Sequence, residues 1–219
     1  MALWSERRSI LSNSSVVIID YNMGNLRSVQ KAFEKVGCDA IISSNHDVIE
    51  SADKIVLPGV GSFRDGMRYL DELGLISILN REIIEKKKPF LGICLGMQLI
   101  SSKSYENGET KGLNWVDAEV VKFDLENKNL KVPHVGWNSI SYKDNNLLYR
   151  DIPNGSDFYF VHSYHFQTKE NIVSSTTDYG IDFVSSIQKD NIYAFQFHPE
   201  KSQEVGLKLI KNFVELEQC

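Results

Sequence analysis

Cysteine is scarce in this chain: Cys38, Cys94 and Cys219 are three in 219 residues, far apart and odd in number. That argues against a disulfide framework and for a reducing compartment, with the cytoplasm as the expected location. Positive charge is also in the minority, 24 Lys and Arg against 29 Asp and Glu for a net charge of -5. The basic residues are scattered, so there is no stripe of the kind a nucleic-acid binder uses to neutralise phosphates. No apolar run approaches the roughly 18 to 20 residues that span a bilayer, and the opening MALWSERRSILSNSS carries charges where a signal peptide has its apolar centre. Neither nucleic acid nor membrane is therefore expected as a partner. No Cys or His cluster has metal-ligand spacing and no glycine run makes a dinucleotide fingerprint, so neither a metal nor a cofactor is expected. Internal repeats, low-complexity tracts and linkers are missing too. Residues 1–14 read as a polar leader and residues 15–219 as one domain.

What is present is an alternation of short apolar strands and amphipathic helices. Residues 16–20 (VVIID) form a β-branched run suited to a strand covered on both faces. After the turn-prone YNMGN, apolar residues recur at helical spacing over 26–36, and Gly37 stands at a C-cap position. The unit repeats with strands expected at 40–43, 54–57 and 90–93, a short helix near Val48, two helices between Phe63 and Lys87, and another from Leu95. This predicts an α/β, doubly wound, mostly parallel sheet with helices on both faces. After about Asp117 short strands separated by turns (DAEVVKF, WNSISY, DFYFVHSY, NIVSSTT, DFVSSIQ, NIYAFQF) predict antiparallel strands added around the same sheet, and a helix over 202–216 closes the chain.

The most informative segment is PFLGICLGMQL, residues 89–99. An apolar strand runs through Gly92-Ile93-Cys94-Leu95-Gly96 straight into a helical pattern, the arrangement of a nucleophile elbow with Cys in place of Ser. The glycines would let neighbouring backbone approach a residue held in a strained turn, and helix N–H groups would favour thiolate over thiol. Cys94 could instead be an inert buried cysteine, but the glycine frame argues for a nucleophile; Cys38 and Cys219 have no such frame. A thiolate that attacks an amide needs a proton donor for the departing ammonia, and that donor needs orienting. QFHPEKS supplies both: His198 and Glu200 follow an expected strand over 193–197, and in an extended segment their side chains would leave on the same side.

A GxCxG elbow far upstream of HPE resembles the class I (triad) glutamine amidotransferases. YNMGNLRSV (21–29), LPGVGSF (57–63), LGICLGMQL (91–99), PHVGWN (133–138), YFVHSY (159–164) and QFHPEKS (196–202) narrow the similarity to the glutaminase subunits of imidazole glycerol phosphate synthases, over nearly everything after residue 15. The resemblance implies a Cys94 nucleophile that forms a glutamyl thioester, His198 as acid and base, and Glu200 as its orienting partner. It implies an oxyanion site from the Leu95 N–H and one N–H of Gly59-Val60-Gly61, with Val60 between two permissive glycines. Gln98 and Glu106 match positions that hold the glutamine head groups, Ser163 and Tyr164 supply backbone contacts, and Trp137, Asn138 and Tyr159 match the surface turned toward a partner. The partner the resemblance implies is a (β/α)8-barrel cyclase, in a heterodimer serving histidine biosynthesis. His134, His162, His165 and His46 receive no chemistry. Val135 stands where the family usually has Met, an apolar change that leaves the thiol chemistry alone. A paralogous glutaminase feeding a sugar-amidating enzyme of surface-polysaccharide synthesis, a non-catalytic scaffold and a stand-alone hydrolase are the competing readings.

Overall fold

The computed structural model of the protein describes residues 15–125, 128–142 and 147–216; the expected leader over 1–14 and Cys219 lie outside them. The chain opens with β1 (Val16–Ile19), α1 (Leu26–Lys35), β2 (Ala40–Ser43), α2 (His46–Ser51) and β3 (Lys54–Gly59). Next come α3 (Phe63–Glu72), α4 (Leu75–Leu79) continuing as a π-helical turn over Asn80–Glu85, β4 (Phe90–Cys94) and the five-residue α5 (Leu95–Leu99). The second half holds β5 (Lys103–Ser104), β6 (Thr110–Lys111), β7 (Ala118–Lys122), β8 (His134–Ser139), β9 (Ser141–Tyr142), β10 (Asp157–His162), β11 (Tyr164–Thr168), β12 (Val173–Asp178), β13 (Asp182–Lys189), β14 (Ile192–Phe195) and α6 (Gln203–Val214).

Local chemistry explains the first elements. The Asn25 side chain caps α1 by accepting from Ser28 N, and Gly37, at φ +86°, lets the chain leave it. Along β1 successive residues face opposite layers: Val16 and Ile18 join one core with α1 and α6, where Phe33 meets Phe213 edge-on at 6.5 Å. Val17 and Ile19 join the other with α2, α3 and α4. A strand buried on both faces must be apolar throughout, which is why VVII carries no polar alternation.

The main sheet runs β2-β1-β3-β4-β14-β13-β11-β7-β5-β6, with β12 and β9 carried on beyond β13. The α/β class with a mainly parallel sheet holds, and two details differ from expectation. β14, expected among the added antiparallel strands, lies parallel to β4, with Phe195 opposite Ile93. Its four residues are all buried, and a slot between β4 and β13 is where such a run is covered on both sides. β8 and β10 leave the main sheet and pair with each other, Trp137 opposite Tyr159. Because β4 and β14 run side by side in one direction, the segments leaving their carboxyl ends, Cys94 and Gln196-Phe197-His198, emerge at the same sheet edge. Among the described residues no helix is long and apolar enough to cross a membrane.

Candidate active site

Cys94 ends β4 at φ 54° and ψ -106°, a left-handed conformation that a non-glycine residue holds only under strain. The glycines around it are steric requirements. A Cβ on Gly92 would sit 3.0 Å from the Gly96 carbonyl oxygen, and one on Gly96 would sit 1.7 Å from the carbonyl oxygen of Leu57 on β3. Strand, elbow and helix can close on one another only with both side chains absent. Since α5 has only five residues, help to a thiolate from the helix comes from the unpaired N–H groups of its first turn.

His198 and Glu200 meet, but not as the extended geometry predicted. His198 is extended, at φ -103° and ψ 94°, while Pro199–Lys201 turns into a 3-10 helix that swings Glu200 back. His198 Nδ1 and Glu200 Oε1 are 2.8 Å apart with both side chains only 3% exposed. The turn is tied down: His198 N–H donates to the Tyr159 carbonyl at 2.9 Å, Tyr159 N–H to Ser202 Oγ at 3.0 Å, and Ser202 Oγ to the His198 carbonyl at 2.6 Å. Gly206 of α6 packs so close that a Cβ there would meet the Pro199 oxygen at 2.0 Å. Nε2 of His198 is buried with no conventional hydrogen-bond partner. Burial alone would push this imidazole down, but the Cys94 sulfur as thiolate, and then Glu200, outweigh it and lift the group to about 10. Both groups that raise it, the Cys94 sulfur and the Glu200 carboxylate, favour the protonated imidazole.

A cavity of about 450 Å³ opens over Cys94. Val60, Gly61, Leu95, Gln98, Glu106, Ser163 and Tyr164 all line it, drawn from the loop after β3, α5, the loop after β5 and the β10–β11 junction. Gly59 lies behind the wall, where a Cβ would strike the Tyr21 hydroxyl at 2.1 Å. Glu106 is fixed by accepting from Phe63 N–H at 2.6 Å, at the amino end of α3. Trp137, 48% exposed, stands edge-on to Tyr159 outside the cavity, while the Asn138 amide turns inward to the Asp178 carbonyl at 2.9 Å. Sequence reasoning missed Lys201, which lines the cavity with Pro133 and Val161, and Gln196, whose amide donates to Cys94 Sγ at 3.7 Å; the signal for Lys201 and Gln196 was membership of QFHPEKS. His162, read as a structural histidine without chemistry, also lines the cavity. A somewhat larger cleft of about 530 Å³, beside β7, β11 and β13, contains none of the predicted residues. Among the described residues no group of three or more His, Cys, Asp or Glu is arranged to hold a metal.

Behind the cavity lies a buried histidine pair. His162 Nδ1 is 2.8 Å from the Tyr164 carbonyl and must donate to it, so its Nε2 accepts from His134 Nδ1 at 3.1 Å. His134 Nε2 in turn faces Asn138 Nδ2 at 3.3 Å. Burial pushes His162 down to about 3 and His134 to about 4, so both stay neutral. A histidine depressed below its unfolded value of 6.5 contributes stability above that pH and loses it as pH falls toward the folded value. Acidification from pH 7 to 5 should therefore cost about 2 kcal/mol for each of the two, read as a falling unfolding midpoint in buffered thermal melts. His198 has the opposite sign, its contribution being complete below pH 6.5 and lost as pH rises through about 10. His134→Gln should flatten the acid limb; an unchanged limb would show that this pair is not its source.

Comparison with known proteins decides the family. The class-I glutamine amidotransferase family profile matches residues 17–216. Imidazole glycerol phosphate synthase subunit HisH 1 of Campylobacter jejuni strain RM1221 is 52% identical over 201 residues, covering 92% of this chain and 100% of the relative. The HisH subunit of Aquifex aeolicus is 52% identical over 199 residues, covering 90% and 94%. The chain is a class I glutamine amidotransferase of the HisH family. HisH 2 of Methanococcus maripaludis, 49% identical over 201 residues and covering 91% and 98%, agrees. At the level of fold, a solved glutamine amidotransferase superposes with a TM-score of 0.71 at 16% identity, covering 91% of this chain and 99% of that one. Amidotransferases of this class share the α/β architecture described above, and every candidate site residue of this amidotransferase falls inside the matched span.

Proposed function

We propose that the chain is the glutaminase subunit of an imidazole glycerol phosphate synthase, hydrolysing glutamine to glutamate and passing the ammonia to a cyclase partner in histidine biosynthesis. The observation that carries the reading is a thiol on a strained elbow that lines a cavity and interacts with a buried His–Glu pair behind it, in a chain of the HisH family. Glutamine binds with its ammonium toward Glu106 and its head groups near Gln98, Ser163 and Tyr164. The Cys94 thiolate attacks the side-chain amide carbon, and the oxyanion takes N–H groups from Leu95 and from the Gly59-Val60-Gly61 segment at the end of β3. His198, held by Glu200, gives its proton to the departing nitrogen as the C–N bond breaks, leaving a thioester and ammonia. His198 then draws a proton from water, whose oxygen attacks the thioester and releases glutamate and the Cys94 thiolate.

Ammonia released into water near pH 7 is protonated and no longer a nucleophile, so delivery through a docked partner is the useful arrangement. That partner is a (β/α)8-barrel cyclase meeting the Trp137, Asn138 and Tyr159 surface. The scarce, scattered cysteines support a cytoplasmic setting, and a family match from residue 17 to 216 supports one amidotransferase domain over 15–219.

Glutamate release is to be measured with the chain alone and with the cyclase of the same genome plus its nucleotide substrate, using Cys94→Ala as control. Stimulation that needs both cyclase and nucleotide, and disappears in the variant, is the expected result. Cys94-dependent release that ignores the cyclase would instead assign the ammonia to another acceptor enzyme.

A further inference from the structure

A chain of side-chain amides connects the nucleophile to the floor of the cavity, and its direction is fixed from one end. The Tyr164 carbonyl accepts from His162 Nδ1 at 2.8 Å and from Gln98 Nε2 at 3.1 Å, so its two lone pairs are occupied and Gln98 must turn its NH2 group toward it. The second hydrogen of that NH2 group goes to Gln196 Oε1 at 3.0 Å, which forces Gln196 to turn its own NH2 group the other way. It then meets Cys94 Sγ at 3.7 Å. The reversed orientation would set donor against donor at Gln98 and a lone pair against the sulfur. Gln196 is fully buried and anchored by its backbone N–H on the Ser185 carbonyl at 2.9 Å, so it cannot swing out to solvent.

We infer that Gln196 is a positioning residue of the glutaminase reaction, its amide N–H holding the Cys94 sulfur and its amide oxygen holding Gln98. The inference rests on the glutaminase reading for its consequences in turnover, but the contact itself does not. As a thiol, Cys94 can donate to the Val161 carbonyl, 4.0 Å away; as a thiolate it gains the Gln196 N–H, so Gln196 favours the reactive form. With both Gln98 hydrogens committed, only Gln98 Oε1 is left to meet a ligand. Gln98 therefore acts toward substrate as an acceptor, suited to an N–H of glutamine and unsuited to a carboxylate.

The charged and titratable groups around the sulfur are His198 with Glu200 behind it, Tyr21 from the turn after β1, and His162, Glu106 and Lys201 around the cavity. None of these makes the contact to Gln98 that Gln196 makes. Gln196→Glu keeps an acceptor for Gln98 and replaces the donor to sulfur with negative charge; Gln196→Met keeps the volume and removes both contacts.

The test is the pH dependence of Cys94 alkylation by iodoacetamide, measured on the full chain without glutamine or partner, beside kcat and KM for glutamate release with the partner. Gln196→Glu is expected to move the alkylation midpoint upward by about one pH unit or more, the size expected for losing a hydrogen bond to a charged group. It should lower kcat about tenfold or more and leave KM nearly unchanged. Gln196→Met should shift the midpoint in the same direction and also raise KM, because Gln98 loses its anchor. A folded variant of either kind whose alkylation profile superimposes on that of the parent would overturn the inference, leaving Gln196 a structural core residue. Loss of all glutamate release from the parent chain, with the alkylation shifts intact, would count against the glutaminase reading and not against this contact.

Discussion

Cys94→Ser is expected to lower kcat for glutamate release by at least about four orders of magnitude, with the dissociation constant for glutamine within about threefold of the parent. The substitution changes one atom and little of the shape: the elbow keeps its φ of 54°, Gly92 and Gly96 keep their close approaches, and Gln98 and Glu106 are untouched. What it removes is the anion. His198 is lifted to about 10 chiefly because a negative sulfur offsets the burial that would otherwise push it down. A serine hydroxyl, far harder to ionise than a thiol, does not supply that charge, so His198 loses the first of the groups that raise it. Two readouts follow from one cause. Steady-state kinetics should show the loss in kcat, and the titration of His198 followed by NMR should move down in the serine variant. A serine enzyme retaining more than a few per cent of the parent rate would remove the sulfur from the nucleophile's role. Unchanged His198 titration would mean that Glu200, and not Cys94, sets its protonation.

The parts of this site that were legible in the sequence are those whose chemistry is local. A strand of buried β-branched residues, a glycine two residues on each side of Cys94, and a proline between His198 and Glu200 each reflect a constraint acting over a few residues, and each can be read from spacing. What could not be read is what depends on strand order. Gln196 touches Cys94 only because β14 enters the sheet parallel to β4, and although the apolar run IYAF suits a strand covered on both faces, it does not say which strands lie beside it. His162 was readable as a structural histidine without chemistry, but its partner His134 lies 28 residues away on a strand that leaves the main sheet. The extended segment expected through HPE failed for a related reason. His198 is extended, but its N–H is captured by Tyr159 on β10 and Ser202 bridges both, so tertiary bonds close the 3-10 turn that brings Glu200 to the imidazole.

Gly96→Ala is expected to destabilise the fold by about 3 kcal/mol or more and to reduce glutamate release by at least about a hundredfold. The added Cβ would lie 1.7 Å from the Leu57 carbonyl oxygen and 2.9 Å from its carbon, and both are backbone atoms that no rotamer change can move aside. Leu57 is itself paired with Gly92 across β3 and β4, so relief requires the two strands to part or the elbow to unwind. Either response shifts Cys94 and the Leu95 N–H relative to the Gly59-Val60-Gly61 segment, which β3 carries at its end. An error of about 1 Å there is enough to misalign attack and oxyanion contact together. For a domain of this size the stability loss corresponds to a fall in unfolding temperature of about 6 to 12 °C. Gly74→Ala provides the comparison: Gly74 has φ +64° but no atom within 4 Å of a built Cβ, so only the backbone cost of about 1 to 2 kcal/mol applies, and the site is untouched. Thermal melts and partner-stimulated glutamate release on the two variants separate the causes. Comparable melting losses with activity intact in both would mean that the Gly92–Gly96 frame serves the fold alone, whereas loss of activity confined to Gly96→Ala ties the close approach of β3 to the geometry of the nucleophile.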